Sequence, residues 1–403
     1  MTLIIGIIGK PSAGKSTFLN AACMTHAKVS ELPFTTIDPN KGIAYVKTNC
    51  MCKKLNLKDN PKNSICIEGN RFIPVNLLDV AGLVPDAHKG KGLGNKFLND
   101  LSKADILIHI LDISGELDKT GKRIIIGEND PYEDIIFLEK EVNLWFKEII
   151  ERSDWTKFLK SYSREKTKFI ESLYKRLSGV RVKKKHIILA IKNSGLENKD
   201  PINWTDDDLY DFSKIVRESS KPILIVANKI DKENGLENLV KLKEKYNNPI
   251  IPCSALAEYI LRKYHEDKII KYIPGLNNFK ILNHKKLKLK ELETLEKIRD
   301  KILGELSETG VQNTLNHAIF KIANQICIFP VSDINTFTDH DGNVLPDVFL
   351  VEKGTTLKDF VQENIHTDLA EHFMFGIDAL TKKRLGENYE LKHNDVIKIV
   401  SSR

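Results

Sequence analysis

The residues with the most legible chemistry lie near the start of the chain, in IIGIIGKPSAGKSTF over residues 4–18. Gly9 and Gly14 allow the backbone to curl closely around a polyphosphate. The residues between and just beyond them, Pro11, Ser12, Ala13 and Thr17, surround the same anion. The loop N–H groups and the start of the following helix present partial positive charge to it. Lys15 adds a full charge at the β- and γ-phosphates, and Ser16 offers a hydroxyl to Mg²⁺. A chance match in a glycine-containing turn is the competing reading. The adjacent Lys-Ser pair and the strand and helix flanks speak against it.

Further groups complement this loop. Asp79 ends the apolar run RFIPVNLLD, and a carboxylate there can hold Mg²⁺ through water. Gly82, three residues on, can turn its N–H toward a γ-phosphate and so sense hydrolysis. In VSELPFTTIDPNKGIAYV (29–46), Thr35 and Thr36 are the side chains suited to Mg²⁺ and the γ-phosphate, and Thr36 is favoured. PILIVANKID (222–231) delivers Asn228, Lys229 and Asp231. A carboxylate at Asp231 can accept from the N1–H and 2-amino group of guanine, a donor pair that adenine lacks. PIIPCSAL places Ser254, Ala255 and Leu256 alongside, where a backbone N–H can reach guanine O6. Four motifs in this order are far more specific than any one alone. The catalytic candidates are Lys15, Thr36 and Gly82; the metal candidates are Ser16, Thr36 and Asp79.

Each motif ends a short apolar run, as a strand of a buried parallel sheet does. Ligands in such open α/β sheets bind at the carboxyl ends of the strands. The spacing therefore predicts a mostly parallel sheet covered by helices. A further buried strand is expected in ADILIHILDI (104–113), where His109 reads as a core histidine. A glycine-rich switch, PDAHKGKGLGNKF, with Gly90, Gly92 and Gly94, precedes it. His88 within that switch is a speculative water-positioner.

The chain has 403 residues, 41% hydrophobic and 29% charged, which fits a cored protein of two or three domains. No apolar run reaches the ~18 residues of a membrane span. The apolar N-terminus lacks a basic start and runs straight into the glycine loop, so it is not read as a signal peptide. Six cysteines scattered over this length fit a reducing cytosol, and a cytoplasmic location is expected. The net charge of +7 is a modest hint of a polyanionic partner, which ordinary surface lysine explains equally well.

Residues 48–71 read as an insertion carrying Cys50, Cys52 and Cys66 among lysines. A closed zinc site needs four ligands, and no histidine or fourth cysteine is near. The stretch is read as a polar loop with half-buried cysteines. Residues 116–215 show helical periodicity, with Ile135, Leu138, Val142, Trp145, Phe146 and Ile149 on one face. They form a helical, coiled-coil-like excursion whose basic stretch, Arg181 to His186, is a candidate RNA contact. Residues 276–325 are a lysine-rich helical connector. Beyond them, short strands around one helix, started by a capping box at Thr356 and Asp359, predict a ubiquitin-like β-grasp module.

Together, GKPSAGKST, LPFTTIDPN, DVAGLVP, HKGKGLGNKF, the helical insertion and the C-terminal module resemble a YchF-type GTPase of the Obg-like family, of an archaeal-type branch. The resemblance covers essentially the whole chain. It implies a P-loop GTP-binding domain at 1–115 and 216–275, the insertion at 116–215, the connector at 276–325 and a TGS domain at 326–403. It also implies GTP and GDP as ligands, Mg²⁺ as cofactor and ribosome or RNA as partner, with no membrane and a monomeric state. Many relatives end the fourth motif in Glu and prefer ATP, whereas NKID is the guanine-reading form. Leu83 stands where small signalling GTPases have a glutamine that orients water. Ser12 stands where relatives often have an asparagine associated with potassium. The expected function is a slow, Mg²⁺-dependent GTPase acting as a switch in translation. The alternatives are a nucleotide-gated RNA- or ribosome-binding module with incidental turnover, and an ATPase of the same family.

Overall fold

The computed structural model describes residues 3–23, 41–80, 93–118, 120–125, 128–152, 155–162, 166–365 and 367–402. Thr35, Thr36, Gly82, Leu83, His88, Gly90 and Gly92 lie outside these described residues. The chain forms two compact units: the first includes Met1–Cys23 and Asn76–Thr314, the second Ile43–Val75 and Leu315–Arg403.

In chain order, β1 (Ile4–Ile8) and α1 (Lys15–Ala22) open the first unit. Most of β2 (Lys41–Asn49), α2 (Met51–Leu55), β3 (Ile65–Ile67) and the first part of β4 (Asn70–Asp79) belong to the second. The first unit continues through α3 (Leu93–Lys103), β5 (Ile106–Asp112), α4 (Pro131–Glu151), α5 (Trp155–Tyr162), α6 (Lys166–Leu177), α7 (Lys184–Asn193) and α8 (Asp206–Ser220). It closes with β6 (Ile223–Asn228), α9 (Gly235–Lys245), β7 (Ile250–Cys253), α10 (Ala255–Glu266), the hairpin β8 (Ile270–Tyr272) and β9 (Phe279–Ile281), and α11 (Leu289–Lys297).

The end of β4 with β1, β5, β6 and β7 makes a parallel sheet in that order. Its strands are runs of Ile, Leu and Val buried on both faces, as parallel strands under helices require. The register decides where the chemistry falls. Ile7 pairs with Asp79, Ile8 with His109, Asp112 with Asn228, and Asn228 with Cys253. Asp79, Gly9, Asn228 and Ser254 therefore emerge along one edge of the sheet.

One face of the sheet is covered by α4 and α6 to α8. Leu138, Val142, Trp145 and Phe146 of α4 pack with Leu173, Ile187, Leu209 and Phe212 and with Leu78 and Leu107 of the strands. The insertion is thus a compact bundle rather than two long helices side by side. The apolar face of α4 is wider than a two-position coiled-coil seam, and Gly179, Gly195 and Pro201 break the following segments into short helices. Its basic stretch is partly committed: Arg181 pairs with Asp105 at 2.6 Å and Lys184 with Glu171 at 2.5 Å. The other face is covered by α9, α10 and α11, with Ile225, Ala227, Leu239, Leu261 and Leu295 in one core. His109 lies within the sheet, 2% exposed. Burial first, then the charges of Lys10 and Lys15, push its pKa down to about 3, so it is neutral.

In the second unit, α12 (Val311–Asn316), which begins in the first, leads into β10 (Gln325–Val331), β11 (Phe349–Glu352), α13 (Leu357–Asn364), α14 (Thr367–Glu371), β12 (Phe373–Asp378), β13 (Arg384–Leu385) and β14 (Asp395–Ser401). The sheet order is β11-β10-β14-β12-β13, with β10 and β14 parallel at its centre. Leu357, Phe360 and Val361 of α13 pack on Ile326, Ile328, Val351 and Ile397. This is a β-grasp fold. Thr356 caps α13 by accepting from the Asp359 N–H at 3.2 Å, as the capping box predicts.

Residues 43–75, expected within the nucleotide domain, belong to the second compact unit. They cluster with the C-terminal residues because their polar groups pair there. The Asn60 N–H donates to the Val344 carbonyl at 3.1 Å, the Lys62 N–H to Pro346 at 2.7 Å, and Lys62 Nζ pairs with Asp339 at 2.7 Å. Residues 48–71 are also more ordered than a polar loop: α2 and the β3–β4 hairpin occupy them.

Candidate nucleotide-binding site

The glycine loop follows β1 directly. Gly9 has φ +142° and Gly14 φ +102°, values L side chains rarely adopt, and a Cβ on Gly9 would stand 2.4 Å from the Ile110 carbonyl oxygen. Ser12 is also left-handed, at φ 63°. The loop then feeds α1, whose first residues are Lys15, Ser16 and Thr17. Lys15 Nζ reaches back over the loop to the carbonyls of Gly9 and Lys10, both at 3.0 Å. Burial lowers its pKa while the Asp79 charge opposes that shift. An anion in the loop would hold this ammonium charged.

Asp79 sits at the end of β4, opposite Ile7. Its carboxyl pKa is raised by burial, against the charge of Lys15 and a hydrogen bond from the Ser16 hydroxyl. Asp79 Oδ1 is buried and, among the described residues, without a hydrogen-bond partner. An orphaned carboxylate oxygen beside a serine hydroxyl and a lysine is a donor set that suits a hard, hydrated cation. The residues present therefore fit Mg²⁺: Ser16 directly and Asp79 through water.

The third group is built by β6 and β7. The Asn228 side chain donates Nδ2–H to the Ala13 carbonyl at 2.9 Å and accepts at Oδ1 from the Ala255 N–H at 3.1 Å. Asn228 thus ties the glycine loop to the loop after β7, and its amide works on protein groups. Lys229 takes φ 64° and its Nζ pairs with Glu116 at 2.8 Å and Asp112 at 3.2 Å. That contact holds the Glu116 carboxyl below the usual carboxylate range. Asp231 is exposed, open to a ligand. Ser254 caps α10 by accepting from the Ala257 N–H at 3.3 Å, which leaves Ala255 at the helix start and Leu256 54% exposed.

Sequence reasoning missed the segment after β5. Lys10 is buried, pairs with Asp134 of α4 at 2.6 Å and donates to the Leu117 carbonyl at 2.8 Å. Gly121 (φ +82°) lies so close that a Cβ would stand 2.6 Å from the Pro11 carbonyl oxygen. The glycine loop is therefore clamped from outside by the insertion and its leading loop. The sequence distance between these partners, 107 residues from Lys10 to Leu117, hides the link.

A parallel sheet with a glycine loop after its first strand, a carboxylate after its neighbour and a base-side loop at β6, followed by a β-grasp module, defines a P-loop nucleotide-binding protein. The family model for 50S ribosome-binding GTPases matches residues 4–140. The model for the G4 motif-containing domain of Obg-like, YGR210-like GTPases matches 226–333, and the TGS domain model matches 334–401. A GTP-binding protein of Methanocaldococcus jannaschii is 43% identical over 99% of each chain. The crystal structure of a GTP-binding protein from Pyrococcus horikoshii OT3 is 36% identical, with TM-score 0.78 over 99% of this chain and 100% of that one. The ribosome-binding ATPase YchF of Bacillus subtilis is 29% identical over 66% of this chain and 70% of its own. The chain belongs to the YchF-type, Obg-like family of GTP-binding proteins. Among the described residues no helix is long and apolar enough to cross a membrane.

Proposed function

We propose that this protein binds GTP with Mg²⁺, hydrolyses it slowly to GDP and phosphate, and acts as a nucleotide switch linked to the ribosome. The observation that carries this reading is the buried Asp79 oxygen, unpartnered among the described residues, beside Ser16 and Lys15 and in front of a glycine loop. Lys15 neutralises charge on the transferring phosphoryl group, and the loop N–H groups orient it. Mg²⁺, when bound, would supply charge to the phosphate oxygens and would be held by Ser16, Thr36 and, through water, Asp79. Gly82 reports the γ-phosphate. Asp231 selects guanine, Lys229 borders the base pocket, and Asn228 keeps the two loops in register. With Leu83 in place of a glutamine, the attacking water is oriented by the phosphate, another side chain or a partner.

The test is hydrolysis of GTP in Mg²⁺, in EDTA and with Ser16→Ala. Slow GDP release only with Mg²⁺, and its loss in Ser16→Ala with GDP binding retained, is expected; Mg²⁺-independent turnover would overturn the assignment. The ribosomal link is supported by the name of the Bacillus relative and by a basic cleft of about 730 Å³ in the second unit, lined by Lys47, Lys321, Lys353, Lys392 and His393. Co-sedimentation with ribosomes that differs between a GTP analogue and GDP, and weakens as salt rises, is the expected result. Equal co-sedimentation in both states would leave a binder rather than a switch. The adenine alternative is favoured by the ATPase name of the Bacillus relative.

A further inference from the structure

We propose that Cys50, Cys52, Asp59 and Cys66 form a four-ligand site for Zn²⁺ in the second unit. The one Sγ of each cysteine and one carboxylate oxygen of Asp59 all lie within 4.8 Å of one another. Histidine and cysteine supply no fourth ligand near these three thiols in the sequence; the fold brings Asp59 in from the loop after α2. Cysteine thiolates and a carboxylate are both established zinc ligands, and four of them close a tetrahedral structural site.

The spacing fits one small ion. Zn–S bonds of about 2.3 Å in a tetrahedron hold neighbouring sulfurs about 3.8 Å apart. Cys52 Sγ and Cys66 Sγ stand 3.7 Å apart. A disulfide would bring them to about 2.05 Å. The Cys50 thiol donates to Asp59 Oδ2 at 3.1 Å, a proton that a cation would replace. Binding releases the three thiol protons to solvent and leaves three Zn–S bonds and one Zn–O bond.

The surroundings hold the ligands in place. Cys50 is the residue before α2, and its N–H donates to the Gly69 carbonyl at 2.9 Å. Cys66 is fixed in β3 opposite Arg71 of β4. Cys50 and Cys52 are buried, so the site is shielded from water. Three thiolates and a carboxylate around Zn²⁺ leave two negative charges, and Arg71, fully buried, sits 3.3 Å from the Asp59 carboxylate to offset one. Arg71 also donates to the Ser64 hydroxyl at 3.0 Å and the Leu345 carbonyl at 2.7 Å. The ion would thereby stiffen the segment that binds the β-grasp residues.

The test uses the full chain, free of any affinity tag, purified in reducing buffer without chelator. Elemental analysis is expected to give about one zinc per chain. The metal-stripped protein titrated with Co²⁺ is expected to show intense tetrahedral d–d bands and a thiolate-to-cobalt charge-transfer band. Asp59→Asn should keep that charge-transfer band yet bind Zn²⁺ at least tenfold more weakly, and Cys52→Ser should reduce the band. Urea unfolding followed by circular dichroism on each variant reports whether both units are folded. A wild-type cobalt spectrum that is six-coordinate, iron in place of zinc, or a zinc-free chain lighter by two hydrogens from a Cys52–Cys66 disulfide would each overturn the site. The wild-type measurements decide even if a variant does not fold.

Discussion

Asn228 donates its side-chain N–H to the Ala13 carbonyl at 2.9 Å, across 215 residues of sequence. Its other amide atom accepts from Ala255. Removing the side chain leaves a buried carbonyl and a buried N–H without partners. Each costs about 1–3 kcal/mol. Asn228→Ala is therefore expected to weaken nucleotide binding by about ten- to a hundredfold, measured by titration with a fluorescent analogue. Asn228→Asp should not rescue it, because its second oxygen would face the Ala13 carbonyl. Binding within twofold of wild type in Asn228→Ala would contradict the brace.

Gly14→Ala tests the same junction from the other side. Gly14 has φ +102°, and a Cβ there would stand 2.3 Å from Asn228 Nδ2. The substitution should abolish measurable nucleotide binding while circular dichroism stays native. Normal affinity would show that the loop relaxes freely.

Lys10 and Asp134 form a buried pair 2.6 Å apart. Burial raises the Asp134 pKa even with Lys10 beside it. Removing one partner strands the other, at about 3–5 kcal/mol. Lys10→Met should lower the urea midpoint strongly, and the double variant Lys10→Met, Asp134→Leu should recover much of it. Equal destabilisation in single and double variants would place the cost in packing instead.

His109 supplies a pH dependence. Its folded pKa is held at about 3 against an ordinary 6.5. Between those values the unfolded chain binds a proton that the native chain refuses. Its contribution to stability is thus complete above pH 6.5 and is lost as pH falls toward 3, by up to about 1.4 kcal/mol per pH unit. His109→Leu should flatten the stability profile below pH 6.5, read by urea unfolding at stepped pH. The same slope in the variant would assign the acid sensitivity elsewhere.

What the sequence reveals and what it hides divide along contact range. The glycine loop, Asp79, the β6 motif and the Ser254 cap are each local patterns whose chemistry and flanks lie within about ten residues. The capping box at Thr356 is equally local. The clamp of Lys10 by Asp134, the coupling of Lys229 to Glu116 and the joining of Asn228 to Ala13 are spread over more than a hundred residues, and no periodicity encodes them. The two- to three-residue strands β8, β9 and β13 are too short for a period-two signal. Asp59 escaped notice because aspartate is common and its pairing with three cysteines depends on the turn between α2 and β3.

The proposed guanine selectivity rests on Asp231. Its most direct test is a paired titration of the purified protein with non-hydrolysable GTP and ATP analogues in Mg²⁺, repeated on Asp231→Asn with a xanthine nucleotide. At least tenfold preference for guanine, about 1.4 kcal/mol, is expected, with a shift toward xanthine in the variant, whose amide donates where guanine also donates. Equal or tighter binding of the ATP analogue, or a base preference untouched by Asp231→Asn, would contradict it and make the protein an adenine-nucleotide enzyme of the same fold.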